Sequence, residues 1–145
     1  MQYTKGQIKR IILARFDDGD VLIDEIKKLA KKEKIKTGVM VLIGALRKGC
    51  VVTGPKAPKI PPKPHWEKFK DAWEVVGIGT IFNNRKGADV HIHGALGKGR
   101  KTLSGCIRKD SKVFLLIEAV IFELKGIKAK KDLDPKTGLN LLRFT

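Results

Sequence analysis

Cysteine is scarce in this 145-residue chain: Cys50 and Cys106 are all there is, too few for a disulfide framework. An unexported chain keeps such thiols reduced, and a reduced thiol is free to meet a metal. No apolar run approaches the roughly 20 residues of a membrane-spanning helix, and the N-terminus lacks a signal-peptide pattern. The expected location is therefore the cytoplasm, away from membranes. Also missing are a P-loop, a helix-turn-helix spacing, a cysteine-rich finger and the aromatic signature of RNA-binding sheets. Gly97, Lys98 and Gly99 make a GxG fragment with no helix after it, which is weak support for a nucleotide site. Ser104 has no catalytic context beyond its nearness to His93.

Acidic residues are the other shortage, 15 Asp and Glu against 31 Lys and Arg, for a net charge of +16. Such an excess attracts polyanions through counterion release, so DNA, RNA and anionic surfaces are natural partners. Lys outnumbers Arg, and Lys reads guanine poorly, so the charge implies sequence-tolerant affinity. A Lys- and Glu-rich surface is also a hyperthermophile trait, which leaves a simply solvated surface as the alternative. At 42% hydrophobic and 32% charged, the chain reads as one soluble domain over residues 1–145.

Soft, metal-competent side chains gather only between Asp89 and Ile107. His91 and His93 are two apart in a β-type run, so both imidazoles leave one face of a strand. Gly97-Lys98-Gly99-Arg100 supplies a turn, and the returning strand starts near Lys101. A hairpin centred between Lys98 and Gly99 places Cys106 opposite His91. His, His and Cys suit zinc, with a fourth position open to water, a carboxylate or a ligand. A turn longer or shorter by one residue would send Cys106 to the other face, and an HxH pair is also a common surface feature.

Along the chain, Ile8 to Phe16 reads as a first strand and Asp17-Asp18-Gly19-Asp20 as a turn, with Asp20 placed to cap a helix from Val21 to about Lys34. Leu22, Ile26, Leu29 and Ala30 form its apolar face, and the opposite face is mostly lysine. Lys27 and Lys31, like Lys28 and Lys32, are stacked four apart, which suits either an anion-binding face or a solvated one. Gly38 to Leu46 is nearly all apolar, as expected of a strand buried on both faces or packed against a partner chain.

Val51 to Thr53 continues as a short strand. Residues 54–65 form a stiff Pro- and Lys-rich loop holding five of the six prolines. That loop suits a phosphate backbone or a plain rigid connection, and Trp66 beside it suits base stacking or hydrophobic anchoring. Trp73 to Phe82 reads as a strand, and Asn83 to Gly87 turns the chain into the HIH strand. Val113 to Leu124 is the longest β-rich run. Glu118 within it needs a partner, a basic side chain by preference, with a metal or a general-base role as alternatives. A lysine-bearing tail, Lys125 to Lys131, precedes a final short strand from Gly138 to Phe144.

Four segments in this order are together similar to one family. They are Val41-Leu42-Ile43-Gly44-Ala45-Leu46-Arg47, Trp73-Glu74-Val75-Val76-Gly77-Ile78-Gly79-Thr80-Ile81, His91-Ile92-His93-Gly94-Ala95-Leu96-Gly97 and Leu103-Ser104-Gly105-Cys106. The chain resembles the PPC domain, the plant and prokaryote conserved domain, over nearly its whole length. The resemblance implies an α/β domain of the α+β type, with a mainly antiparallel sheet packed with one main helix, assembled as a homotrimer. It also implies a metal site at the HxH pair, with Cys106 standing where some relatives have a third histidine. Plant relatives carry AT-hooks, and no such segment occurs here.

Two functions follow as expectations. One is a non-enzymatic trimer that binds DNA electrostatically through Lys56, Lys59, Lys63, Lys98, Arg100 and Lys101. The other is a zinc-dependent enzyme or small-ligand binder built on His91, His93 and Cys106. A scaffold for a protein partner is a third reading.

Overall fold

The computed structural model describes residues 1–144. The long β-forming runs become β1 (Gln7–Asp17), β2 (Thr37–Pro55), β3 (Pro64–Asn84), β4 (Gly87–Lys98), β5 (Lys101–Ile107) and β6 (Lys112–Lys125). These pair antiparallel in one sheet ordered β1-β6-β2-β3-β4-β5. The far end of β2 also pairs with β5, at Val51↔Ile107 and Val52↔Cys106, so the sheet curls back on itself. One helix, α1 (Leu22–Lys32), covers one face, and β7 (Ala129–Leu133) and β8 (Asn140–Phe144) form a separate ribbon. Among the described residues, no helix is long and apolar enough to cross a membrane.

Helix α1 follows from its spacing. Leu22, Ile26 and Ala30 recur every four residues, and with Ile23 they are buried against the sheet. Fully burying a Leu or Ile contributes about 1.5–3 kcal/mol, so this face outweighs the weak intrinsic stability of an 11-residue helix. Asp20 does not cap it. Val21 stands at the N-cap with no side-chain bond, while the Asp20 carboxylate accepts the Asp17 N–H at 2.9 Å and closes the turn instead. The turn before β6 takes over the helix start, with the Leu22 N–H donating to the Ser111 carbonyl at 3.0 Å.

Strand β2 alternates: Met40 and Leu42 enter the core while Val41 and Ile43 remain exposed on the other face. It is therefore not buried on both faces within the chain. Its neighbours repeat the pattern. One rung of facing residues runs Leu13, Val120, Val41, Ile78, His93 and Cys106 across the full width of the sheet. The core holds one side of this sheet, and the HIH pair belongs to the other.

Three further sequence expectations change. Val51 to Thr53 is not a separate strand but the end of the 19-residue β2, which runs through Pro55. The lysine-bearing tail, for which the sequence pattern predicts no element, contains β7, which pairs with β8, and β8 starts at Asn140 rather than Gly138. Glu118 makes no ion pair among the described residues; Arg15, opposite it on β1, pairs with Asp17 at 3.0 Å. The buried carboxylate that does need partners is Glu123, held by Lys9 at 3.0 Å and Arg10 at 2.5 Å.

Candidate metal centre

Strands β4 and β5 close through Lys98↔Lys101 around Gly99 and Arg100, with Gly99 in the left-handed region at φ +58 that this turn requires. Cys106 accordingly faces His93, not His91. The turn lies one residue further along than its sequence suggests, and this moves every facing partner by two. Because side chains repeat every two residues, a two-residue slip leaves Cys106 on the histidine face. The trio therefore survives a wrong register.

The donor atoms of His91, His93 and Cys106 all lie within 4.8 Å of one another, the one such cluster of three among the described residues. The two Nε2 atoms approach to 3.2 Å, with the rings edge to face at 71°. One ring's N–H must donate to the other there unless a cation replaces the proton. Zinc with Zn–N bonds of about 2.0–2.1 Å in a tetrahedron sets its nitrogens about 3.3 Å apart, so the observed pair already has the spacing of ligands. Both histidines are exposed while Cys106 is 5% exposed, so an ion would sit on a thiol floor with its outer side open.

Burial pushes His91 below its usual range, and the positive charges of Lys131, His93 and Arg108 add to that effect against Asp89. A neutral imidazole is the form that ligates. Burial pushes the Cys106 thiol up, and Arg108 and Lys131 pull it partly back. Metal binding here must therefore release the thiol proton.

The surroundings were only partly visible in sequence. Arg108 follows Cys106 by two, just past the end of β5, and its guanidinium lies 5.7 Å from the Trp66 ring centre. Its Nε is buried without a partner. Lys131 is nearly buried because Asp89 pairs with it at 3.0 Å, and no local pattern announces that contact across 42 residues.

The expected nucleic-acid residues fall in two places. Lys56, Lys59 and Lys63 stand exposed on the irregular connection between β2 and β3, and Lys98, Arg100 and Lys101 surround the β4–β5 turn. Lys98 pairs with Asp71 at 3.1 Å. The pairing of β2 with β5 points the proline-rich arm along β5 toward that same turn. Trp66 is 53% exposed, with Arg108 over its ring.

Known proteins share this architecture. A plant- and prokaryote-conserved (PPC) protein from Pyrococcus horikoshii superposes with a TM-score of 0.86 at 26% identity, over 100% of this chain and 99% of that one. A metal-containing protein from Archaeoglobus fulgidus gives 0.86 at 21% identity, over 99% of each chain. A "putative dna binding protein" from Bacteroides thetaiotaomicron gives 0.81 at 17% identity, over 97% of each. No curated protein matches the chain. The family model of the Plants and Prokaryotes Conserved domain matches residues 3–125, which takes in the whole six-stranded sheet, the helix and the His-His-Cys trio, and the chain therefore belongs to that family.

Proposed function

We propose that this protein is a zinc-binding member of its family, acting as a homotrimer, with His91, His93 and Cys106 as the metal ligands. The observation that carries the reading is the meeting of two imidazoles, 3.2 Å apart at Nε2, with a buried thiol on one sheet face. The metal-containing description of the Archaeoglobus fulgidus protein, similar in fold, supports it. Zinc in such a site would supply Lewis acidity toward a fourth ligand. The chain itself contributes a dry thiol floor, two solvent-side imidazoles and a positive rim from Arg108 and Lys131. The trimer is supported by the apolar rung that Leu13, Val41 and Ile78 leave in solvent.

Elemental analysis of purified, untagged protein tests the site. About one zinc per chain is expected, lost in the His91→Ala/His93→Ala variant. Cobalt loading separates the roles, because the wild type should show a thiolate charge-transfer band and Cys106→Ser should bind cobalt without it. Equal metal content in the wild type and the double-histidine variant, or an unchanged charge-transfer band in Cys106→Ser, would overturn the assignment.

A second reading is sequence-tolerant DNA binding, supported by the +16 charge and by the DNA-binding description of the Bacteroides thetaiotaomicron protein. Three chains at +16 bring about +48 to one assembly, and linked sites raise avidity without new contacts. Its footprint is Lys56, Lys59, Lys63, Lys98, Arg100 and Lys101, at one end of the sheet. Absence of duplex binding at low salt would end this reading.

A further inference from the structure

At the opposite end of β4 from that footprint lies an open cleft of about 860 Å³, between α1, the loop into β2, the β3–β4 turn and Lys109. Six lysines line it: Lys27, Lys31, Lys34, Lys36, Lys86 and Lys109. None of the six makes an ion pair among the described residues. The one acid in the lining, Asp89, is already occupied by Lys131, Asn84 and Asn140. The cleft thus concentrates positive charge that the fold leaves uncompensated.

A helix-dipole role accounts only for Lys31, in the last turn of α1, since Lys27 lies in the middle of the helix and Lys34, Lys36, Lys86 and Lys109 come from other segments. Solvation alone would favour spreading such charges apart, because like charges repel. We propose that this cleft binds a chain of phosphates, an oligophosphate anion spanning several ammonium groups at once. A single carboxylate or sulfate would answer one or two of them. Lys, a compact point charge with three donors, suits phosphate oxygens arriving from several directions.

The cleft opens beside the helix, not on the exposed apolar face, so assembly through that face leaves it accessible. None of His91, His93 and Cys106 lines it, so the proposal does not require bound zinc.

The test is calorimetry of inorganic tripolyphosphate with the full chain in chelator-containing buffer, which keeps metal out of the measurement. One site per chain is expected. Lys31→Gln/Lys36→Gln/Lys86→Gln removes three exposed charges from three segments and should weaken binding at least about tenfold, as loss of charge-assisted contacts does. Lys56→Gln/Lys59→Gln/Lys63→Gln, with the same change in net charge, should stay within about twofold if location and not total charge decides. A short DNA duplex titrated into the loaded protein identifies the source of the phosphates: displacement assigns the cleft to a nucleic-acid backbone, and retention assigns it to a free oligophosphate. Equal losses in the two triple variants, or no tripolyphosphate binding by the wild type, would overturn the cleft. Failure of the wild type to bind duplex would overturn the DNA reading alone.

Discussion

Gly44 sits where β2 passes a bulge against β6, at φ +137. A Cβ added there would lie 2.3 Å from the Leu116 carbonyl oxygen and 2.8 Å from the Ile117 Cα, backbone atoms that cannot swing aside. Gly44→Ala should therefore combine a disfavoured backbone angle with overpacking worth about 1–3 kcal/mol. At this chain length roughly 3–4 °C of Tm is lost per kcal/mol, which thermal unfolding followed by circular dichroism resolves. Gly97→Ala is the matched control, because nothing lies within 4 Å of its added Cβ. Its Tm should hold or rise slightly; equal losses at both positions would refute the clash.

The same scale shows what a sequence discloses. That His91 and His93 share a face needs only strand alternation, so it was legible. That Cys106 faces His93 needs the turn position, and one residue there reassigns every partner. Arg108 and Lys131 were not legible as neighbours of the trio, since one depends on that register and the other on a distant ribbon.

Among the elements, the β7–β8 ribbon is tied to β4 through Asp89. Asp89 on β4 accepts from Lys131 on β7 at 3.0 Å and from Asn140 on β8 at 2.9 Å, with Asn84 at 3.2 Å. Burial by itself would raise the Asp89 carboxyl, but the Asn140 amide, Lys131 and Asn84 outweigh it and hold it below its ordinary value. A depressed folded-state value means that the carboxylate's contribution is complete above the unfolded Asp pKa of about 3.9 and is lost as pH falls through the lower folded value.

Acid should therefore release the ribbon. Protection of the amides in Ala129–Leu133 and Asn140–Phe144, taken relative to their intrinsic exchange rate at each pH, is expected to fall below about pH 4, and Asp89→Asn should flatten that dependence. Glu123, also held below its usual range, titrates between β1 and β6, so the comparison of Asp89→Asn with wild type is what isolates the ribbon. Unchanged protection in acid would show that the ribbon is held by other contacts. In sequence this tail is a run of lysines with no apolar period, so its strand comes from tertiary pairing and not from its own pattern.

Over the whole molecule, the largest unspent feature is the sheet face away from the helix. Leu13, Ile43, Val76 and Ile78 are each more than half exposed there, an arrangement a monomer rarely maintains. The apolar composition of Gly38 to Leu46 signalled this strand, while which side would be left bare depended on pairing with β3 and β6. If this face joins copies of the chain, two opposing forces meet in the assembly. Apolar burial draws the copies together, and +16 on each drives them apart. Salt screens only the second. Sedimentation velocity should accordingly show three chains per particle, with dissociation favoured at low salt, and Ile43→Glu/Ile78→Glu should give a folded monomer at every salt concentration. DNA affinity must run the other way, because the counterions that phosphate contacts release gain less entropy as the surrounding salt rises. A wild-type chain that sediments as a monomer in high salt would remove the trimer, and with it the avidity on which the DNA reading leans. Assembly and DNA binding that weaken together as salt rises would mean that ion pairs, not the bare apolar face, hold the copies together.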